Sequence, residues 1–209
     1  MFYDPVDLRE RKTELGFRFN PIKSLVIPRP IAWVSTLSAS GVGNLAPFSF
    51  FNMVAFDPPV LAIGCNGKHA DGGLKDTLVN VGETGEFVVN LVTWELREKM
   101  LATAAGLPRD VDEMAHVGLD SAPSVRVAPP RVAASPINFE CTHLDTVALP
   151  TDFPERKNNL ILGVVVGIHI DGACVKDGLI DVEALKPLSR LGYADYSVVE
   201  TIFSMGEPS

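Results

Sequence analysis

Glycine and proline interrupt this chain along its whole length, and that punctuation constrains the fold more than any other feature. Seventeen glycines and sixteen prolines are spread over 209 residues, leaving only short apolar runs between them. Short runs bounded by turn formers read as β-strands. Ile31–Ser38 is one strand candidate, followed by the turn Ser40-Gly41-Val42-Gly43. Leu45–Ala55 is a second, ended by Asp57-Pro58-Pro59. Val60–Cys65, Glu86–Val92, Ile137–Val147 and Leu160–Ile170 complete a set of six, and Tyr193–Val199 adds a short edge strand. Val, Ile, Phe and Trp dominate these runs, as a pleated surface favours. The first three follow one another with only turns between them, whereas parallel neighbours would need crossovers. The expectation is a mainly β domain built as a closed or nearly closed antiparallel barrel.

Helical signals are fewer. Lys75–Glu83 reads as a short helix closed by Gly85. Trp94–Ala105 is the clearest helix, with Leu96, Met100, Leu101 and Ala104 on one stripe and Gly106 and Pro108 beyond it. Val111–His116 is a weaker turn or two, and the Pro-rich stretch Ala122–Ser135 reads as a covering loop. We expect one domain over residues 1–209, with an N-terminal arm over about 1–20 and a frayed tail over about 204–209.

Charge narrows the partners. Eighteen basic and 26 acidic residues give a formal charge of −8. That argues against nucleic acid as a partner and, more weakly, against an anionic membrane surface, while leaving room for a local basic pocket. Three scattered cysteines, Cys65, Cys141 and Cys174, form no disulfide framework and suit a reducing compartment. The first ten residues carry no apolar stretch, and Leu160–Ile170 falls far short of the ~20 residues of a membrane helix. A soluble cytoplasmic protein is expected.

Self-contained catalytic machinery is missing. The sequence holds no G-x-S-x-G, P-loop, H-E-x-x-H or G-x-G-x-x-G. Cys65 with His69 and Cys141 with His143 supply metal-ligand types, but without a tight C-x-x-C pair the balance favours buried thiols and no metal. Other segments carry more polar chemistry. In Ile31–Thr36, strand alternation puts Trp33 and Ser35 on one face and Val34 and Thr36 on the other. In Ser49-Phe50-Phe51-Asn52, Phe50 and Asn52 share a face opposite Ser49. Lys75-Asp76-Thr77 opens a helix after a Gly-rich loop, a place where exposed amides and a cation can hold a phosphate. Lys186–Tyr193 gathers two cations and a tyrosine. Each segment alone reads equally as core packing, an ordinary helix start or a solvated loop.

Taken together and in order, PRPIAWVST (28–36), NLAPFSFFN (44–52), DPPVLAIG (57–64), KDTLVN (75–80), TGEFVVNLV (84–92) and PLSRLGYADY (187–196) resemble the flavin reductase-like, FMN-binding split-barrel family, in its flavoredoxin-like branch. The resemblance spans about residues 20–200. It implies a six-stranded antiparallel Greek-key split barrel with flanking helices, a homodimer, and one non-covalent FMN per subunit near the dimer interface. It implies an NAD(P)H:flavin oxidoreductase that takes a hydride from NADH or NADPH and passes electrons to an acceptor or a monooxygenase partner. The alternative is an FMN electron carrier not reduced by NAD(P)H. Carried over by position, Trp33, Val34, Ser35 and Thr36 lie along the flavin, partly through backbone groups. Ser49, Phe50, Phe51 and Asn52 line the isoalloxazine and ribityl region. Lys75, Asp76 and Thr77 sit by the phosphate, and Arg190 and Tyr193 close the site. Two departures stand out. Val79 replaces a frequent second cation, and Gly192-Tyr193 replaces a frequent Gly-Gly.

Overall fold

The computed structural model describes residues 1–153 and 155–206. Its main sheet has seven strands: β1 Ala32–Leu37, β2 Gly43–Phe48, β3 Phe51–Phe56, β4 Pro59–Asn66, β5 Glu86–Leu91, β6 Ile137–Leu149 and β7 Asn158–Ile170. The order is β2-β1-β5-β6-β7-β4-β3, and every pairing is antiparallel. β2 and β3 stand at opposite ends of that order, yet only Ser49 and Phe50 separate them in the chain. The two ends of the sheet therefore meet at this corner, and the sheet curls into a split barrel. The Phe50 carbonyl accepts the N–H of Gly64 in β4 at 2.6 Å. A Cβ on Gly64 would lie 2.8 Å from Phe50 Cβ, so the corner needs glycine there. The expected single strand Leu45–Ala55 is thus two strands broken at the corner, which is why the sheet has seven strands and not six.

Alternation sorts the side chains into two cores. Ala32, Val34, Phe48, Leu61, Ile63, Phe87, Val89, Cys141 and Ile161 fill the barrel. Trp33 and Leu45 point the other way and join Ile31, Val92, Leu96, Met100 and Val132 in a second cluster. Among the described residues there are five α-helices: α1 Pro5–Glu10, α2 Asp76–Thr84, α3 Arg97–Ala102, α4 Glu113–His116 and α5 Val182–Leu185. Leu78 and Val81 of α2 pack against the barrel core, and the helix ends at Gly85 in the left-handed region, φ 73°. α3 is shorter than the expected Trp94–Ala105. Only Leu96 and Met100 of its predicted stripe are buried, and Leu101 is exposed. The N-terminal arm carries α1, capped by the Asp4 carboxylate accepting Val6 N–H at 2.7 Å.

The covering loop is strapped down by two buried side chains. Glu140 accepts the N–H groups of Val125 at 2.8 Å and Arg126 at 2.5 Å, and Asn90 Oδ1 accepts that of Val132 at 2.8 Å. The predicted edge strand Tyr193–Val199 forms in a separate small sheet. There Arg29–Pro30, β8 Leu188–Gly192 and β9 Asp195–Val198 pair in that order. Residues 204–206 of the expected tail are exposed, and 207–209 lie outside the described residues. Among the described residues no helix is long and apolar enough to cross a membrane.

Candidate functional site

The Ser49–Phe50 corner leaves a hollow beside the barrel mouth. A cavity of about 880 Å³ opens there, walled by the corner itself, by Ile22 and Lys23, by Met100, Leu101 and Ala104 at the end of α3, and by the β8–β9 hairpin. That volume falls within the range of about 300–1,000 Å³ typical of small-molecule sites. Four cations line it, Lys23, Arg29, Lys75 and Arg190, and no Asp or Glu does. In a chain of net charge −8 this is a strong local reversal of sign. Among the described residues none of the four makes an ion pair with a carboxylate.

Aromatic rings hold these cations. Lys75 Nζ lies 5.6 Å from the Phe48 ring centre, and Lys23 Nζ and Arg29 Cζ lie 6.0 and 5.7 Å from that of Phe50. The Arg190 guanidinium carbon sits 4.3 Å from the centre of Tyr196. Arg29 is buried, and its Nη1 donates to the carbonyls of Lys23, Val26 and Leu191. Burial, and then the charge of Arg190, push its guanidinium below the usual arginine pKa.

The polar network behind the cavity fixes Lys75. Thr36 Oγ1 accepts from Asn44 Nδ2 at 3.1 Å and from Asn80 Nδ2 at 2.9 Å, and Asn44 Nδ2 also reaches Thr77 Oγ1 at 3.0 Å. These buried bonds tie the first turns of α2 to β1 and β2. Lys75 is the N-cap residue of α2 and makes no side-chain cap, and its carbonyl accepts the N–H groups of Leu78 and Val79, so only the first two amides of the helix stand open to another acceptor. The Asp76 carboxylate is turned away to Arg109, with His69 Nε2 at 3.4 Å. Arg109 first of all holds Asp71 well below the usual carboxylate pKa.

Of the residues named from sequence, Ser49, Phe50, Lys75, Arg190 and Tyr193 line this cavity. Asp76 and Thr77 line a smaller adjoining pocket of about 200 Å³ that shares Pro47 and Lys75 with it. Phe51 packs on the barrel core, and Asn52 is exposed on β3. Trp33, Val34, Ser35 and Thr36 are buried, and their side chains are already engaged. Trp33 Nε1 donates to Thr103 Oγ1 at 2.9 Å, and Ser35 Oγ donates to the Pro130 carbonyl at 2.6 Å. Their side chains therefore shape the walls behind the site, and the backbone of this strand is paired with β2 on one side and β5 on the other. The Trp33–Thr103 bond seats the end of α3, and with it Met100 and Ala104.

Sequence reasoning missed Lys23, Arg29, Asn66 and Tyr196, which also line the cavity. Arg29 and Tyr196 lay inside quoted motifs, and the unpaired charge of Arg29 between two prolines was the available signal. Lys23 follows no pattern that distinguishes it from a surface lysine.

Tyr193 occupies the position where Gly-Gly is frequent. Its φ is 48°, the left-handed region glycine tolerates best. Its ring rests 5.7 Å from that of Phe19 over the cavity rim. The preceding Gly192 has no freedom to change, because a Cβ there would lie 2.1 Å from Ser24 Oγ.

Comparison with known proteins agrees with this architecture. A family model described as "Flavin reductase like domain" matches residues 24–188. An uncharacterised protein of Aquifex aeolicus is 38% identical over 183 residues, covering 87% of this chain and 90% of its own. Among solved structures, nitrilotriacetate monooxygenase component B from Bacillus cereus is similar at TM-score 0.85 and 30% identity, with 98% of each chain covered. The 2-nitrobenzoate 2-nitroreductase NbaA of Pseudomonas fluorescens is similar at TM-score 0.81 and 26% identity, covering 100% of this chain and 97% of that one. The split barrel, its corner cavity and these matches place the chain in the flavin reductase-like family, whose members carry flavin-linked oxidoreductase chemistry.

Proposed function

We propose that this chain binds one FMN in the corner cavity and acts as an NAD(P)H-dependent flavin reductase. The observation that carries the reading is the cavity wall itself, with four cations, no acid and several aromatic rings in an acidic protein. The residues present fit the cofactor. Lys75 and the first two amides of α2 supply a phosphate cradle, with the Asp76 carboxylate bonded to Arg109, which it shares with Asp71, and Thr77 anchoring the turn. Ser49 and Phe50, with backbone groups of the corner, face the ring system. Arg190 and Tyr193 close the opening.

FMN, when bound, supplies the hydride and electron chemistry. The chain's own work is positional and electrostatic. Arg190 and the corner amides place positive potential at one wall of the cavity, which favours negative charge on whatever occupies it. Trp33 and Thr103 hold the α3 wall in place. Phe48, Phe50 and Tyr196 exclude water from the faces they cover.

A homodimer belongs to this reading. β3 exposes Met53, Val54 and Phe56, and Leu25 and Val26 are exposed just before Arg29. This apolar surface borders the cavity at Phe50, so a second copy would cover it and complete the site. The free cysteines suit the cytoplasm. A monooxygenase component as electron acceptor is supported by the likeness to nitrilotriacetate monooxygenase component B.

Anaerobic rapid mixing of the FMN-loaded protein with NADH, and separately with NADPH, tests the reading. Bleaching of the flavin absorbance by one nucleotide is expected. A flavin left oxidised by both would favour the electron-carrier alternative, which the Tyr193 ring over the rim supports by narrowing the approach.

A further inference from the structure

Four cations exceed what one phosphate monoester requires, and they fall into two groups. Lys75 stands alone by Phe48, at the start of α2. Lys23, Arg29 and Arg190 gather at the other side, around Phe50 and Tyr196. Within that second group, Arg29 and Arg190 are direct partners in the antiparallel pairing of Arg29–Pro30 with β8. Like charges placed opposite each other on neighbouring strands repel unless something neutralises them. Among the described residues no carboxylate does so. Arg29 is only 7% exposed, and its buried Nε has no hydrogen-bond partner within the protein. Its Nη1 is met by three backbone carbonyls, but a buried unpaired donor next to a like charge is a costly arrangement for stability alone.

We propose that Arg29, Arg190 and Lys23 form an oxyanion subsite, separate from the phosphate cradle at Lys75, that takes the carboxylate of a small aromatic acid. The inference rests on the flavin reading above only in placing the phosphate at Lys75. Arg29 Nη1 and Arg190 Nη2 already donate to backbone carbonyls, but Arg29 Nε has no partner, and two guanidinium groups at opposed register positions on the cavity wall suit the two oxygens of a carboxylate. Phe50, Tyr193 and Tyr196 line the same end of the cavity and offer ring faces to an aromatic body. The site would thus hold an anionic aromatic molecule beside the cofactor, and it would discriminate against a neutral molecule of the same shape.

The test is calorimetric titration of the full-length, FMN-loaded protein with benzoate and with its neutral isostere benzamide. Benzoate is expected to bind at least tenfold tighter. That preference should vanish in Arg190→Gln, shrink in Lys23→Ala and survive in Lys75→Ala. Equal affinity for the two ligands, or an unchanged preference in Arg190→Gln, would overturn the subsite. Displacement of benzoate by ADP-ribose at much lower concentration would assign the cations to a dinucleotide pyrophosphate and overturn the aromatic-acid reading. The same titrations on flavin-free protein separate the two ideas. Failure to bind FMN with the benzoate preference intact would contradict the flavin reading and support the subsite.

Discussion

Thr36 and Asn80 are joined inside the fold: the Asn80 amide donates to Thr36 Oγ1 at 2.9 Å, and both side chains are buried. This bond links the barrel strand that carries Trp33 to the helix that begins at Lys75. Thr36→Val should leave Asn80 without its acceptor and Asn44 with Thr77 alone, and lower stability by about 1–3 kcal/mol, the usual cost of stranding a buried polar group. Urea unfolding measures it. A midpoint equal to that of the parent chain would show that the network does not hold the helix.

Lys75→Ala should weaken FMN binding by removing a charge-assisted contact worth about 1.5–3 kcal/mol, roughly a 10- to 150-fold loss. Riboflavin, which lacks the phosphate, should bind the variant and the parent chain alike. Fluorescence titration with both flavins gives the comparison, and an equal loss for both would remove Lys75 from the phosphate.

Tyr193 holds a left-handed backbone that costs a non-glycine residue about 1–2 kcal/mol. Tyr193→Ala and Tyr193→Gly both lose the contact with Phe19, so comparing them isolates the backbone. The glycine variant should be the more stable by about 1 kcal/mol in thermal or urea unfolding. It should also be reduced faster by a nicotinamide, since the rim is opened. A glycine variant less stable than the alanine one would deny the strain.

Glu140 ties the covering loop to the sheet and is also bonded by His169. Burial raises its pKa, and the bonds from His169, Val125 and Arg126 more than offset that, so the carboxyl is held below its ordinary value. A depressed carboxylate contributes stability that is present above the unfolded-state pKa of about 4.3 and is lost as pH falls through the folded value. The parent chain should therefore lose stability below about pH 4. Glu140→Gln should be less stable at pH 7 by about 1–3 kcal/mol and show a flatter acid limb. Parallel pH curves for the two would contradict this role.

Much of the barrel was legible because its strands alternate and its turns are marked. Trp33 and Val34 were assigned opposite faces, and they lie in different cores. The break at Ser49-Phe50 was not legible, because Leu45–Ala55 is mostly apolar with no glycine to mark a turn, and the corner arises from closure between strands distant in the sheet. Lys75, Arg190 and Tyr193, which motifs alone single out, line the cavity. Ser35 and Thr36 are expected from the resemblance to lie along the flavin, partly through backbone groups, and their hydroxyls are taken up by Pro130, Asn44 and Asn80. Sequence spacing shows that a polar group exists, and only the packed chain shows what already satisfies it. Lys23 and Arg29 became visible when folding brought them to Arg190, 161 positions beyond Arg29 in the chain.

The most direct test of the account is a calorimetric titration of flavin-free protein with FMN and with riboflavin. The account predicts one FMN per chain, bound at least tenfold tighter than riboflavin, because Lys75 at the start of α2 selects the phosphate. Equal affinity for the two flavins, or no binding of either, would contradict it.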